Sequence, residues 1–278
     1  MTVGVAIIIG AELGTTVTTQ LVSILCYLGR EKEVFKLSFE VAMTHYWYNL
    51  VTLLIFFPIE LSSGLLTRVA LEGTRFFGRI PGITEVPSIF DLMTPWIDAL
   101  LSFIPAWSGM IIGCALLMLS LRESEKHMSA VFATEVSKNL LQSTFGDPIK
   151  SFLAGLVFTI LVPSTSVMVS LLVPLTATKL IGADQNILPY ILGANIGTVF
   201  DVMVAALVTG DPAAIGVWLV HLTINIIGAI LFLPIMKPFI IFVHKTNDFL
   251  TDSRNRTILF FSLFNGSPLA LLLARLFS

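Results

Sequence analysis

Charge is scarce in this chain of 278 residues: Asp, Glu, Lys and Arg make up 12% of it, where a soluble domain carries about 25%. With so few basic residues and no basic stripe, nothing points to nucleic acid as a partner. The common enzyme signatures are missing too. No Gly-x-x-x-x-Gly-Lys loop cradles a phosphate, no nucleophile elbow appears and no metalloprotease His pair is present. There are two cysteines, Cys26 and Cys114, both in apolar stretches, and they read as small buried thiols. No charged segment precedes the first apolar run, so no cleavable signal is expected.

What fills the chain instead is apolar. Hydrophobic residues make up 55% and mean hydropathy is +0.91. Residues 13–29, 41–59, 99–121, 151–178, 216–236 and 257–274 contain no Asp, Glu, Lys or Arg, each close to or above the roughly 18 residues of a membrane-spanning helix. One such run could be a buried core helix, but six cannot hide inside a 30.4 kDa globule. The chain therefore reads as an all-α polytopic membrane protein with lipid as its surroundings. Arg30, Lys32 and Lys36, and then Arg122, Lys126, Lys138 and Lys150, place 30–36 and 122–150 in the cytoplasm. Segment 60–98, whose arginines are diluted by acids, falls outside. The alternating charges of 122–150 read as an amphipathic cytoplasmic helix, and 87–105 as an interfacial helix of the outer leaflet.

One pattern occurs twice. "IIIGAELGTT" (7–16) and "YILGANIGTV" (190–199) share Gly-Ala-x-x-Gly-Thr. Each is followed by His, three residues, Asn, eight residues and Pro: His45, Asn49 and Pro58, then His221, Asn225 and Pro234. Two coincidences in matching order argue for duplicated halves. Duplicated halves with Gly/Pro-interrupted apolar segments point to a secondary transporter that binds its solutes near the membrane midplane.

The second half holds such an interruption, "FTILVPSTSVMVSLLVPL" (158–175). Pro163 removes a donor and disfavours helix at Val162. Ser164, Thr165 and Ser166 follow, able to cap a new half-helix. A helix broken in lipid repairs its backbone through protein or a polar cavity. Hydroxyl and carbonyl oxygens there suit a small cation, and free N–H groups suit an anion.

In order along the chain, "GAELGTTVTTQL", "AMTHYWYNLVTLLIFFPIE", "LVPSTSVMVSLLVPL" and "GANIGT" resemble segments of the sodium/phosphate cotransporter family, its type II branch above all. The likeness runs from about Ile7 to Pro234 and is loose over 61–150. It implies Na+-coupled uptake of inorganic phosphate through two inverted repeats with broken or re-entrant helices, each carrying a Gln-Ser-Ser-Ser hairpin and a Gly-Ala/Ser-Asn-Ile-Gly-Thr segment. By position it implies Ser164, Thr165 and Ser166 as sodium and phosphate ligands, with Asn195 and Thr198 from the second glycine segment and Thr15 and Thr16 from the first. Asn49 matches a sodium-site asparagine. Gln20 is a further candidate of the first segment, and Glu31 falls near the aspartate of electrogenic members, across a linker of different length. Na+ is the implied coupling ion, with no other cofactor or metal.

The chain also departs from that pattern. Pro163 replaces the hairpin glutamine, Glu12 an asparagine and Asp201 a threonine, while the first repeat's own hairpin would precede Met1. Three explanations stay open: truncation, a partner or second copy that supplies the missing half, or a scaffold that no longer transports. Glu12 and Asp201 are acids in apolar surroundings, costly unless paired or protonated. Either they hold a cation or titrate, so that H+ joins Na+ as a coupling ion, or Glu12 lies at the water interface. Asp201 shares a helix face with Thr198. His45 and His221 each stand alone, and their Asn neighbours one turn on suggest hydrogen bonds between helices. Tyr46, Trp47, Tyr48, Trp96 and Trp107 read as packing or interface anchors. The resulting division is a partial first repeat (1–60), an intervening segment (61–150) and a second repeat (151–278), with the cell membrane as the expected location.

Overall fold

The computed structural model describes residues 2–28, 30–79, 135–182, 186–209 and 211–276, with scattered helical positions between 95 and 123. The interfacial helix expected over 87–105, the span over 99–121, Trp107, both thiol side chains and the first part of the amphipathic helix lie outside the described residues.

All regular structure among the described residues is helical. The first half holds α1 (Thr2–Tyr27), α2 (Lys32–Ser63) and α3 (Leu65–Phe77). The second holds α4 (Glu135–Phe145), α5 (Pro148–Leu161), α6 (Thr165–Ser170), α7 (Leu172–Ala177), α8 (Ile187–Thr209), α9 (Pro212–Phe232), α10 (Met236–Thr251) and α11 (Arg254–Leu276). By length and composition, α1, α8 and α9 can each cross a membrane. The pairs α2–α3 and α4–α5, bent by 75° and 105°, bring the number to five if each is one span. Exposed apolar side chains such as Leu54 and Leu61 on α2, Leu153 and Leu161 on α5 and Ile230 on α9 face outward, as lipid-facing positions do. The chain is an all-α integral membrane protein.

Local chemistry sets the helix ends. Asp147 and Asp211 are N-caps that accept from backbone N–H groups of the first turn at 2.8–3.0 Å, each with Pro at N1, where its missing donor costs nothing. Gly64, at φ +63°, ends α2 and turns the chain into α3. The carboxylate of Glu60, last residue of the quoted first-half motif, accepts from Leu66 N at 2.7 Å and from the Thr67 hydroxyl, capping α3.

The paired prolines part company. Pro58 lies inside α2, which continues to Ser63, whereas Pro234 sits in the turn after α9. The predicted break after Leu161 is present: Val162 is extended, and Ser164 caps α6 by accepting from Val167 N at 3.3 Å. The apolar run 151–178 is thus a helix, a break and two short helices.

Helices α5 and α8 pack most closely. A Cβ on Gly193 would lie 2.9 Å from Leu156 N, and one on Gly197 2.7 Å from Leu156 O. The glycines of the second motif copy are there because backbone meets backbone. Their first-copy counterparts, Gly10 and Gly14, meet nothing within 4 Å among the described residues. One apolar core joins α2, α7, α8 and α10, and a smaller one joins α1, α2, α3 and α9.

Candidate functional site

Helix α1 turns a stripe of polar side chains inward: Glu12, Thr16, Thr19, Gln20 and Ser23 are all buried. Their spacing of three or four residues keeps them on one face. Opposite them, α2 presents His45, Asn49 and Thr52 at helical spacing, also buried.

Asn49 is the junction. Its Nδ2 donates to Glu12 O at 2.6 Å and approaches Thr15 Oγ1 and His45 Nε2 at 3.3 Å. Its Oδ1 accepts from Asn195 Nδ2 at 3.0 Å. Asn195 belongs to the second glycine segment, so one asparagine joins both copies of the repeat.

The broken helix closes the ring. Thr165 N donates to Thr198 Oγ1 at 3.0 Å, the two threonine hydroxyls bond each other, and both hydroxyls reach Ala194 O at 3.2 Å. Ser166 Oγ then donates to Thr15 O at 2.9 Å. Side chains and carbonyls of α1, α2, α8 and α6 thus form two hydrogen-bonded groups, one of Asn49, Asn195, Thr15 and Ser166 and one of Thr165, Thr198 and Ala194 O, joined into a circuit through the chain at Thr165–Ser166 and at Ala194–Asn195. A donor left unpaired there would cost about 1–3 kcal/mol. Hydroxyls that bond back to their own helix, as Thr15 does to Glu12 O and Thr16 to Leu13 O, keep lone pairs for another ligand.

Not every predicted residue joins the circuit. Thr16 is buried beside it, and Ser164 serves as the cap of α6. Gln20 is two turns down α1, where its Oε1 accepts from Asn265 Nδ2 at 3.0 Å. Asp201 is partly buried one turn beyond Thr198, with no hydrogen bond described to its side chain, and Glu31 is exposed at the N-cap of α2.

Glu12 is interior, 8% exposed, not at a water interface. Its Oε1 lies 2.9 Å from His221 Nε2 and accepts from Asn225 Nδ2 at 2.5 Å. Sequence reasoning read His221 and Asn225 as bonding between helices, and did not see that they converge on this acid. The readable signal was a matched His-x-x-x-Asn helix in a chain whose other repeat had gained a carboxylate. Thr19 and Ser170, bonded at 3.4 Å, were missed because an isolated hydroxyl in an apolar helix carries no pattern.

A hollow between α1, α2 and α9 beside Asn49 has a volume of about 10 Å³ for a water-sized body, on the order of one molecule. Phosphate cannot occupy it without movement of the helices.

Neither a curated protein nor a solved structure matches the chain. The family model described as Na+/Pi-cotransporter matches residues 116–264, just over half the chain. That span contains the broken helix, the second glycine segment and His221–Asn225, while the first copy lies outside it. On that match, and with the membrane-helix architecture that accompanies it, the chain belongs to the Na+/Pi-cotransporter family, a family of sodium-coupled phosphate transporters.

Proposed function

We propose that this protein is a symporter that carries inorganic phosphate together with Na+ across the cell membrane, binding both at the circuit between the two glycine segments. Thr15, Thr16, Asn49, Ser164, Thr165, Ser166, Asn195 and Thr198 line the site in this reading, and Asp201 borders it. The single observation that carries it is the circuit itself: Asn49, Asn195, Ser166 and Thr15 meet through hydrogen bonds of 2.6–3.3 Å, and the bonded pair Thr165–Thr198 adjoins them through the chain. Such hydroxyls and amides serve both ions, offering oxygens to Na+ and donors to phosphate oxygens. Bound Na+ offsets the phosphate charge, so each ion raises the occupancy of the other, and the linkage is reciprocal. No enzymatic step is needed. In an alternating cycle, the break at Val162–Ser164 is a place where α5 and α6 can change angle.

The test is uptake of labelled phosphate into proteoliposomes with and without an inward Na+ gradient. Gradient-dependent uptake that falls in Thr165→Val and Thr198→Val supports the reading. Uptake that ignores the gradient overturns it.

A second reading is favoured by Gly10 and Gly14. In the second copy the matching glycines are covered by α5, whereas here no described residue lies within 4 Å of a Cβ added at either. In this reading a helix equivalent to α5, supplied by another chain, covers α1 and completes the first repeat. Divided by repeat, residues 1–60 and 151–278 then hold the two halves of the site, and 61–150 connect them.

A further inference from the structure

Where α2 begins, α10 runs beside it in the opposite direction: Lys32, Lys36 and Glu40 pair in turn with Asp252, Asp248 and His244. Two clefts open here and share His244 as a wall. The first, of about 390 Å³, lies between α10 and the start of α8, against Ile187, Leu188, Met236, Ile240 and Ile241. The second, of about 410 Å³, lies between α2, α10 and the turn after α7, against Glu33, Lys36, Glu40 and Lys179. Both fall within the roughly 300–1,000 Å³ of a small-molecule site. The apolar cleft stands where α8 starts its membrane-crossing run, and the charged one where α2 has yet to reach its own, at Val41. Together they straddle the boundary between acyl chains and headgroups.

Charge narrows the occupant. Lys36 is held by Asp248 at 2.7 Å. Glu40 is 2% exposed, and His244 neutralises it only when the ring is protonated. Among the described residues, no ion pair or hydrogen bond engages the exposed side chains of Lys179 and Glu33. A free cation and a free carboxylate in one cleft complement a ligand that carries both charges. A purely anionic group would meet Glu33 and Glu40 along with Lys179, and a purely cationic one would meet Lys179. A soluble zwitterion would leave the apolar cleft uncovered.

We propose that the two clefts hold one membrane phospholipid with a primary ammonium headgroup. Its phosphodiester meets Lys179, and its ammonium donates to Glu33 and Glu40. An acyl chain passes His244 and lies against Ile187, Ile240 and Ile241. Lys237, in the wall of the apolar cleft, lays its stem along the chain and turns its own ammonium to the headgroup level. The bound lipid bridges α2, α10 and the start of α8. It does not depend on the symport reading.

The test uses the purified full chain, delipidated in detergent. Its unfolding temperature is followed over titrations with phosphatidylethanolamine, phosphatidylcholine or phosphatidylglycerol of one acyl composition. Phosphatidylcholine keeps the phosphate but has no N–H to donate, and phosphatidylglycerol lacks the cation. A ligand that binds only the folded state raises the unfolding temperature in a saturable way. Phosphatidylethanolamine should half-saturate at a concentration about tenfold below either rival. Lys179→Gln and Glu33→Gln change exposed side chains and leave the core untouched, and each should raise that concentration by about tenfold. Equal half-saturation by all three lipids, or an unchanged value in either variant, would overturn the proposal. An equal shift with glycerophosphoethanolamine, which has the headgroup and no acyl chains, would overturn it too. Each of these failures leaves Na+-dependent phosphate uptake, and so the symport reading, untouched.

Discussion

Gly197→Ala isolates the contact on which the site is built. The added Cβ would lie 2.7 Å from Leu156 O and 2.9 Å from Thr159 Cβ, where ordinary contact begins at 3.4 Å. The backbones of α5 and α8 must therefore separate by about 0.7 Å. Overpacking of this kind costs about 1–3 kcal/mol, of which the better helix propensity of alanine returns up to about 1. Gly14→Ala, the equivalent change in the first copy, meets nothing within 4 Å and should gain the propensity term alone. Thermal unfolding in detergent should place the Gly197 variant below wild type by several degrees, with the Gly14 variant at or above wild type. Thr198 is the next residue, so the same shift displaces its hydroxyl from Thr165. Phosphate uptake should then fall by about tenfold or more, since misplacement by about 1 Å can cost up to a hundredfold. A Gly197 variant that unfolds with wild type and transports normally would refute the reasoning. A Gly14 variant as damaged as the Gly197 one would reveal a segment packed on α1 from outside the described residues.

Other outcomes follow from single contacts. His244 Nδ1 lies 2.5 Å from Glu40 Oε1, and Glu40 is 2% exposed. Removing the partner of a buried acid costs about 3–5 kcal/mol, so His244→Ala should lower the unfolding temperature markedly, and an unchanged value would count against the pair. Gly64→Ala forces a side chain into φ +63° and should cost about 1–2 kcal/mol with uptake intact, read by the same melt. Lys32 donates to the exposed Asp252 and holds its carboxyl below the ordinary carboxylate range. A lowered folded pKa gives stability that is present above the unfolded pKa and lost as pH falls through the folded one. For so exposed a pair, Asp252→Asn should barely move the melt, and any effect should vanish in high salt.

Much of the architecture was legible because lipid imposes simple rules. Apolar length announced α1 and α9 and the apolar part of α2, but not α8, whose run is interrupted by Asp201, and the Pro163–Ser164–Thr165 sequence announced the break and its cap. The repeated glycine segments and His-x-x-x-Asn helices named most of the residues that meet at Asn49. Partner choice was not legible. A single sequence cannot say that Glu12 on α1 faces His221 and Asn225 on α9, because nothing in local spacing encodes which helix lies beside which. The same limit explains Pro58, whose place within a continuous α2 depends on tertiary packing rather than on the proline rule. It also explains α3, amphipathic and packed on α9 through Thr74 and Gly73, in a stretch that composition assigned to a connecting segment.

Reciprocal binding measures most directly whether sodium and phosphate share one polar centre between the two glycine segments. Radioactive Na+ binding to purified protein, with and without saturating phosphate, gives one coupling factor, and phosphate binding with and without Na+ gives the other. The account predicts that both factors exceed one, equal each other and collapse together in Asn49→Ala. Two factors of one, with each ion bound as tightly alone as in company, would contradict it.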